Sequence, residues 1–329
     1  MRLANLIGLA FAIPVFAGAA PAPKGELVVG MTFSDSRNNS DAKEELSKWQ
    51  PIFDDMGKRL KMTVSGYVAS KHDDLLAQMK ANKVQVAIMG HVPALEAVSQ
   101  ANAQVFAHVV NLKGGGGFQS LLITHKDSEI NTIQDFLSQR GKYTYQTGEA
   151  QSTSGALIPN YYVFGRNNVS PSQVFKKVSV GNHKDNFMAV AMHQVSVASV
   201  ASDYLEGEFK DENPMEYASI KVIWRSEAIP ADPVLYRRDL DDETKKAIEQ
   251  LIFSYGKASR EREMLKEARG IIGFKRSSNK QLSRIADVLL FQEQQLVMNN
   301  ERMADADKFK RSVDITRKFS DLQKYLMMD

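Results

Sequence analysis

The chain has 329 residues, 43% of them hydrophobic and 25% charged, as in ordinary globular proteins. This length exceeds what one hydrophobic core usually supports, so we expect two domains. The 42 basic and 39 acidic residues leave a net charge of +3 and are dispersed, which gives no reason to expect a nucleic-acid partner. The absence of cysteine excludes a disulfide framework, thiolate metal sites, a cysteine nucleophile and the lipid-bearing cysteine of a bacterial lipoprotein.

Residues 1–22 have the pattern of a cleavable export signal. Arg2 supplies a positive charge, Leu6–Phe16 forms an apolar core, and small residues allow cleavage at Ala19 or Ala22. The apolar stretch is too short to span a membrane. A buried N-terminal helix is the alternative interpretation. We therefore expect a soluble protein that is exported to the periplasm.

Short apolar runs then alternate with amphipathic helical patterns. This alternation predicts an α/β fold with a largely parallel, doubly wound sheet. The predicted strands cover residues 27–31, 62–68 and 84–89, and the predicted helices cover 41–60, 73–81 and 92–100.

Four consecutive glycines, Gly114–Gly117, follow this unit and predict a flexible crossover or hinge. The alternation restarts beyond them, so we expect a second unit inserted into the first. Its predicted strands cover residues 120–124, 142–145, 177–180, 195–200 and 221–224, and its predicted helices cover 133–139, 154–166 and 185–193.

The pattern from Asp241 onward is helical almost throughout. We expect the last helices to wrap the first lobe, with a homodimer formed through them as the alternative. The expected domains are lobe 1 at residues 23–115 and 224–275, lobe 2 at residues 116–223, and a C-terminal helical segment at residues 276–329.

Three hydroxyl residues, Ser152, Thr153 and Ser154, stand at the start of a predicted helix. The first N–H groups of a helix lack intrahelical acceptors and point along the positive end of the helix dipole, so this position suits an anion. Gly155 is expected to let a ligand approach the backbone closely. An ordinary helix cap is the alternative interpretation of the same residues.

Two further residues stand where a ligand is expected. His183 follows a predicted strand and begins a helix, which places it at the carboxyl end of a strand, where open α/β sheets bind ligands. Asp232 is held between prolines at a predicted crossover between the lobes. A capped or surface histidine and a turn aspartate are the alternatives.

Other kinds of site find little support. His72 and His91 have no paired metal-ligand spacing, so no metal site and no cofactor is predicted. The sequence also has neither the G-x-S-x-G turn of a serine hydrolase nor a G-x-x-x-x-G-K-[ST] phosphate loop.

Several separated segments resemble one family, the PhnD-like periplasmic proteins that bind phosphonate and phosphate. The strongest is Ser152–Pro159, with the sequence S-T-S-G-A-L-I-P, which continues to Tyr161–Phe164. The resemblance covers roughly residues 25–255. The other matching segments are residues 49–51, 83–87, 96–98, 120–123, 167–169, 222–226 and 229–233.

The resemblance implies a type 2 periplasmic-binding fold that closes like a clamshell on its ligand. It also implies a binding protein without catalysis, which delivers a phosphonate, phosphite or phosphate to an ABC permease in the inner membrane. The ligand residues carried over from the family are Ser152, Thr153, Ser154, His183, Asp232 and Asp203.

The sequence departs from the family at His72, Met89 and His91, where aromatic or polar residues are common, and at Lys184, where an acid is common. His72, Met89 and His91 are therefore included in the expected binding site. Fewer aromatic and acidic groups and more basic ones favour a smaller or more anionic ligand than an aminoalkylphosphonate. The alternatives are a binding protein that presents another anion to a membrane sensor, and a hydrolase using Ser154, His183 and Asp232.

Overall fold

A computed structural model describes residues 25–32, 39–69, 71–111 and 117–327. The predicted export signal, residues 1–22, lies outside the described residues. None of the described helices is both long enough and apolar enough to cross a bilayer.

The first sheet has six strands and mixed direction. Three neighbouring strands, β1 (Glu26–Thr32), β2 (Thr63–Ala69) and β3 (Val86–Ile88), pair in parallel, and the other three strand pairs of the sheet are antiparallel. The predicted parallel order therefore covers only half of this sheet. In spatial order the strands are β13 (Ile271–Arg276), β4 (Ala103–Asn111), β12 (Pro233–Arg237), β3 (Val86–Ile88), β1 (Glu26–Thr32) and β2 (Thr63–Ala69).

Helices cover both faces of the first sheet, because alternate side chains along each strand enter different cores. In β3, Val86 and Ile88 pack in one core and Ala87 packs in the other. The helices of this unit are α1 (Asn39–Leu60), α2 (His72–Lys80), α3 (His91–Gln100), α9 (Asp242–Ser254) and α10 (Ser259–Arg269).

The second sheet has five strands and is also mixed. Its strands, in spatial order, are β10 (Ile220–Arg225), β6 (Ser120–His125), β9 (Val197–Ala201), β7 (Thr144–Thr147) and β8 (Lys177–Val180). The strands β7, β8 and β9 pair in parallel, and β6 pairs antiparallel with β9 and β10. The carboxyl ends of the three parallel strands, β7, β8 and β9, therefore meet at one edge of the sheet.

The helices of the second unit include an unusual one after β7. It runs from Thr153 to Asn167, with π-helical turns at Thr153–Leu157 and Asn160–Phe164 and a 3₁₀ turn at Gly165–Asn167. The other helices are α4 (Ile133–Ser138), α5 (Pro171–Val174), α6 (His183–Ala191), a π-helical turn at Tyr204–Glu208, α7 (Phe209–Glu212) and α8 (Pro214–Tyr217).

Two short strands connect the sheets. β5 (Gly117–Phe118) pairs antiparallel with β11 (Ile229–Pro230), so the chain crosses between the sheets side by side in both directions. A side chain at Gly117 would place its Cβ 2.1 Å from the Ile229 carbonyl oxygen, so this close crossing requires glycine.

The C-terminal segment folds back on the first unit. A 3₁₀ turn at Asn279–Leu282 leads into α11 (Ser283–Met298), and α12 (Asp305–Met327) packs antiparallel against it. Ile315, Phe319 and Leu322 of α12 join the core formed with α2 and α3. The segment also contacts the second unit, since the rings of Tyr161 and Phe291 meet edge to face at 4.9 Å.

Candidate functional site

A cavity of about 120 Å³ lies between the two sheets. Since about 10–15 Å³ on this measure holds one water molecule, the cavity accommodates a small solute. Thr32 ends β1, and Gly148, Gly181 and Ala201 stand at the ends of β7, β8 and β9. The site is therefore built from the carboxyl ends of parallel strands, as the general rule for open α/β sheets leads one to expect.

Seven of the nine residues expected in the site line this cavity. They are His72, Ser152, Thr153, Ser154, His183, Asp203 and Asp232. Thr32, Phe118, Glu149, Gln151, Asn182 and Tyr204 also line it and were not predicted as site residues. Single glycines at the ends of β7 and β8, Gly148 and Gly181, are the sequence signal nearest to Glu149, Gln151 and Asn182.

The hydroxyl-bearing turn is held in place by its backbone. The Gly155 carbonyl oxygen accepts hydrogen bonds from the Gly148 N–H at 2.8 Å, from Thr147 Oγ1 at 3.2 Å and from Ser199 Oγ. A Cβ on Gly148 would lie 2.7 Å from the Gly155 Cα, and a Cβ on Gly155 would lie 2.7 Å from Ser152 Oγ. Gly155 thus serves the crossing of two backbone segments and does not itself line the cavity.

The three hydroxyl side chains have different surroundings. Ser152 Oγ accepts from the Gly155 N–H at 3.0 Å and so caps the helix. Thr153 and Ser154 are buried, and Thr153 Oγ1 has no hydrogen-bond partner among the described residues. The Thr153 hydroxyl is therefore available for a hydrogen bond to a solute in the cavity.

His183 begins α6 and is neutral at pH 7. Its Nε2 lies 3.4 Å from Ser154 Oγ, and its ring lies 5.1 Å from the Tyr204 ring. Burial, with a smaller contribution from His72, lowers the pKa of His183 to about 4. A neutral imidazole offers one N–H donor and one acceptor, which suits a hydrogen bond to an oxyanion.

The contact between Ser154 and His183 does not form a hydrolytic triad. A triad needs a carboxylate that accepts from Nδ1–H and so fixes the imidazole. The Nδ1 of His183 is buried and has no partner among the described residues. The geometry therefore gives the hydrolase alternative no support.

Three carboxylates, Glu149, Asp203 and Asp232, line the cavity, and none of its described lining residues is a lysine or arginine. Burial raises the pKa of Glu149. Lys184, which was expected to add positive charge to the site, instead lies with its Nζ 3.7 Å from Glu212 Oε2 and does not line the cavity. Phe118 and Tyr204 also line the cavity, so aromatic residues are present there at positions other than His72 and Met89.

Met89 and His91, both expected in the site, lie outside the cavity lining. Met89 is 1% exposed and packs in the core beneath α3. His91 is fully buried with its ring 6.3 Å from the Phe118 ring, and burial lowers its pKa to about 3. Met89 follows β3 and His91 is the first residue of α3, and both side chains are buried, which the position of Gly90 in the sequence does not reveal.

Within the described residues, no group of three or more histidine, aspartate or glutamate side chains is arranged to hold a metal ion. The arrangement provides neutral hydrogen-bond donors and carboxylate acceptors in a cleft between the two units. It is equipped to bind a small polar solute.

Comparison with known proteins agrees with this architecture. The family model described as "ABC transporter, phosphonate, periplasmic substrate-binding protein" matches residues 39–282. The phosphonates-binding periplasmic protein of Escherichia coli (strain K12) is 38% identical over 277 residues, which are 84% of this chain and 81% of that protein.

Solved structures show the same fold. The binding protein component of an ABC phosphonate transporter from Pseudomonas aeruginosa superposes with a TM-score of 0.80 at 31% identity, covering 92% of this chain and 98% of that one. PhnD1 from Prochlorococcus marinus, solved with methylphosphonate, gives a TM-score of 0.68 at 18% identity, covering 80% and 97% of the chains. The present chain, a binding protein and not an enzyme, belongs to the family of periplasmic phosphonate-binding proteins of ABC transporters.

Proposed function

We propose that the chain binds a phosphonate whose organic group carries an amine. In this proposal Thr153, Ser154 and His183 donate to the phosphonate oxygens, together with the first N–H groups of the helix that Ser152 caps. Asp203 and Asp232 accept from the ammonium group or from a protonated phosphonate oxygen. The observation that carries the proposal is the meeting of hydroxyl donors and three carboxylates in one cavity.

The charge of the cavity favours an amine over a purely anionic ligand. A phosphonate dianion placed near Glu149, Asp203 and Asp232 would experience repulsion in a partly desolvated site. An ammonium group on the ligand offsets this repulsion. The earlier expectation of a more anionic ligand rested on Lys184, on missing aromatic rings and on the added imidazoles of His72 and His91. Lys184 and His91 do not line the cavity, whereas His72, Phe118 and Tyr204 do.

Binding without turnover follows from the kind of groups present. Neutral hydroxyl, amide and imidazole donors replace the hydration shell of the oxyanion, and enclosure between the lobes excludes water and strengthens these hydrogen bonds. No buried ion pair with arginine or lysine has to be broken for release in the described part of the site. Opening of the lobes is then sufficient to deliver the ligand.

We also propose how the protein is exported, which partner it meets and how its lobes are arranged. Residues 1–22 direct export to the periplasm, and the loaded protein docks on an ABC permease in the inner membrane. In this proposal lobe 1 comprises residues 23–115 and 224–275, lobe 2 comprises residues 116–223, and residues 276–329 form the C-terminal segment. Trp224 and Arg225 still pair with the second sheet, which moves the second boundary to the end of β10. The paired crossings β5 and β11 are the hinge.

A homodimer through the C-terminal helices is part of the proposal. Leu296 of α11 and Phe309 and Val313 of α12 are exposed, with Phe309 73% accessible. Because α11 and α12 run antiparallel, these side chains lie toward one end of the helix pair. Sedimentation velocity of the wild type and of Phe309→Glu is the test, and a wild-type monomer at micromolar concentration would refute the dimer.

Calorimetric titration tests the ligand. The protein is stripped of bound ligand by unfolding and refolding, and then titrated with 2-aminoethylphosphonate, methylphosphonate, phosphite, phosphate and sulfate. We expect 2-aminoethylphosphonate to bind most tightly. Tighter binding of methylphosphonate or phosphate would refute the role of the amine. If none of the phosphorus ligands bound detectably, the proposal that this cavity binds a phosphonate would be refuted.

A further inference from the structure

A hydrogen bond crosses the mouth of the cavity between the two units. Gln151 Nε2 donates to Asp73 Oδ1 at 2.5 Å. Asp73 is the second residue of α2, which packs on the first sheet, whereas Gln151 stands in the loop after β7 of the second sheet. Opening the lobes has to break this bond.

The two residues stand at the rim of the site. Their chain neighbours His72 and Ser152 line the cavity, and so does Gln151 itself. The charges of Lys71 and Asp73 also act on the half-buried Glu149, which shows that the start of α2 approaches the loop at residues 149–152. The neutral amide of Gln151 therefore joins the lobes at a point where two carboxylates, Asp73 and Glu149, lie near each other.

We propose that Asp73 and Gln151 form a clasp that holds the lobes closed and sets the rate at which ligand leaves. The proposal rests on the proposed function, since the ligand is the solute held in this cavity. Both residues are positioning residues, acting through lobe closure. This hydrogen bond is exposed, so it contributes at the low end of the range for a charged acceptor, and we expect its loss to speed release by up to about tenfold.

Two substitutions test the clasp from either side. Gln151→Glu places a carboxylate opposite Asp73 and next to Glu149, so that repulsion replaces the hydrogen bond. Asp73→Ala removes the acceptor and leaves Gln151 free to touch ligand. In the double variant Gln151→Glu/Asp73→Lys an ion pair across the cleft replaces the original bond, and closure is expected to return.

The chain offers matched controls for each substitution. Gln50 Nε2 donates to Asp54 Oδ1 at 2.7 Å within the exposed surface of α1, so Gln50→Glu makes the same chemical change without crossing the cleft. Asp74 is the other acidic residue in the first turn of α2, so Asp74→Ala controls for the interaction of Asp73 with the helix dipole.

Lobe closure is measured by energy transfer between two dyes. The chain contains no cysteine, so Lys43→Cys and Asp211→Cys provide the only labelling sites. Both residues are exposed, on α1 and α7, and α1 faces the second unit here, because Glu45 and Lys48 act on Glu208. Release rates come from stopped-flow mixing of the same labelled full-length protein with 2-aminoethylphosphonate and with methylphosphonate.

We expect Gln151→Glu and Asp73→Ala to lower the closed fraction and to raise the release rate by up to about tenfold, while both controls behave as wild type. Unchanged release and unchanged closure in Asp73→Ala would overturn the clasp, since Gln151 would then act only by touching ligand. If neither phosphonate binds the wild type, the proposed function fails. The clasp is then still tested by the fraction of closed molecules measured without ligand. Equal closed fractions in the wild type and in Gln151→Glu would overturn the clasp.

Discussion

The imidazole of His183 and the hydroxyl of Ser154 face each other across 3.4 Å, measured from Nε2 to Oγ. The two residues belong to consecutive βα units, Ser154 after β7 and His183 after β8. Because β7 and β8 are parallel neighbours, the helices that follow them start side by side. Their polar groups act on the same part of the cavity.

Replacing either residue is expected to weaken phosphonate binding strongly. Ser154→Ala and His183→Ala each remove a hydrogen-bonding group from a charged ligand, which typically costs about 1.5–3 kcal/mol, or roughly 10- to 100-fold in affinity. The double variant should lose less than the product of the single losses, because the two groups contact each other. Calorimetric titration with 2-aminoethylphosphonate measures all three.

Ser138→Ala is the control for this series. Ser138 Oγ hydrogen bonds to the Gln134 carbonyl on the exposed surface of α4 and takes no part in the cavity. Wild-type affinity in both Ser154→Ala and His183→Ala would contradict the assignment of the oxyanion site to this end of the second sheet.

His91 is predicted to be dispensable for binding and unfavourable in acid. Both ring nitrogens are buried without a partner among the described residues. Because the folded-state pKa of about 3 lies below the unfolded value of about 6.5, the unfolded chain binds the extra proton, and stability is lost as the pH falls from about 6.5 toward 3. Because His91 does not line the cavity, His91→Leu should keep the affinity for the phosphonate within about threefold of wild type. Because the leucine cannot be protonated, the variant should gain more stability at pH 5 than at pH 7.5, as measured by urea unfolding. A large loss of affinity would return His91 to the binding site.

The crossing of Gly148 and Gly155 is predicted to be intolerant of any side chain. Gly148→Ala would bring its Cβ to 2.7 Å from the Gly155 Cα, a backbone atom that cannot move without shifting the hydroxyl turn. We expect a destabilisation of about 1–3 kcal/mol together with weaker ligand binding. Gly207→Ala is the control, since its Cβ meets nothing within 4 Å and a helical turn favours alanine. Equal thermal stability of the two variants would contradict this account.

The sequence was most informative where periodicity and local motifs determine structure. The strands β1, β2, β6 and β8 and the helix after β7 lie within a few residues of their predicted bounds. The hydroxyl run at Ser152–Ser154 and His183 were identified because a helix start after a strand has a defined chemical character. The placement of these residues in one cavity follows from that rule.

The sequence was least informative where structure depends on distant partners. The strands β4, β12 and β13 were not predicted. Each of them pairs only with strands that are far away along the chain. In addition, β13 stands in the sequence between the charged helices α10 and α11. Phe118 and Tyr204 enter the cavity because the crossover and the turn after β9 bring them there. No spacing within the sequence encodes that approach.

The buried carboxyl of Glu96 links α3 to the C-terminal helices. Glu96 is 4% exposed and interacts with Glu293 of α11 and Lys318 of α12, whose Nζ lies 3.8 Å from Glu293 Oε2. Burial raises the pKa of Glu96 to about 7, with Asp73 and Glu293 adding to the shift and Lys80 and Lys318 opposing it. Below about pH 7 the protonated carboxyl is therefore the main form in the folded protein.

The consequence is a loss of stability as the pH rises. The unfolded pKa of glutamate is about 4.3, so between about pH 4.5 and 7 the folded protein binds more protons than the unfolded chain, and the free energy of unfolding falls across this range. For a shift of this size the fall is on the order of a few kcal/mol. Glu96→Gln, which cannot ionise, should abolish it, whereas the exposed Glu263→Gln should not. Because His91 and His183 change stability in the opposite direction over part of the same range, the informative quantity is the difference between variant and wild type. Urea unfolding at pH 5 and pH 8 measures this difference in the free energy of unfolding. If the difference between Glu96→Gln and wild type were the same at pH 5 and at pH 8, Glu96 would be ionised in the folded protein at both pH values.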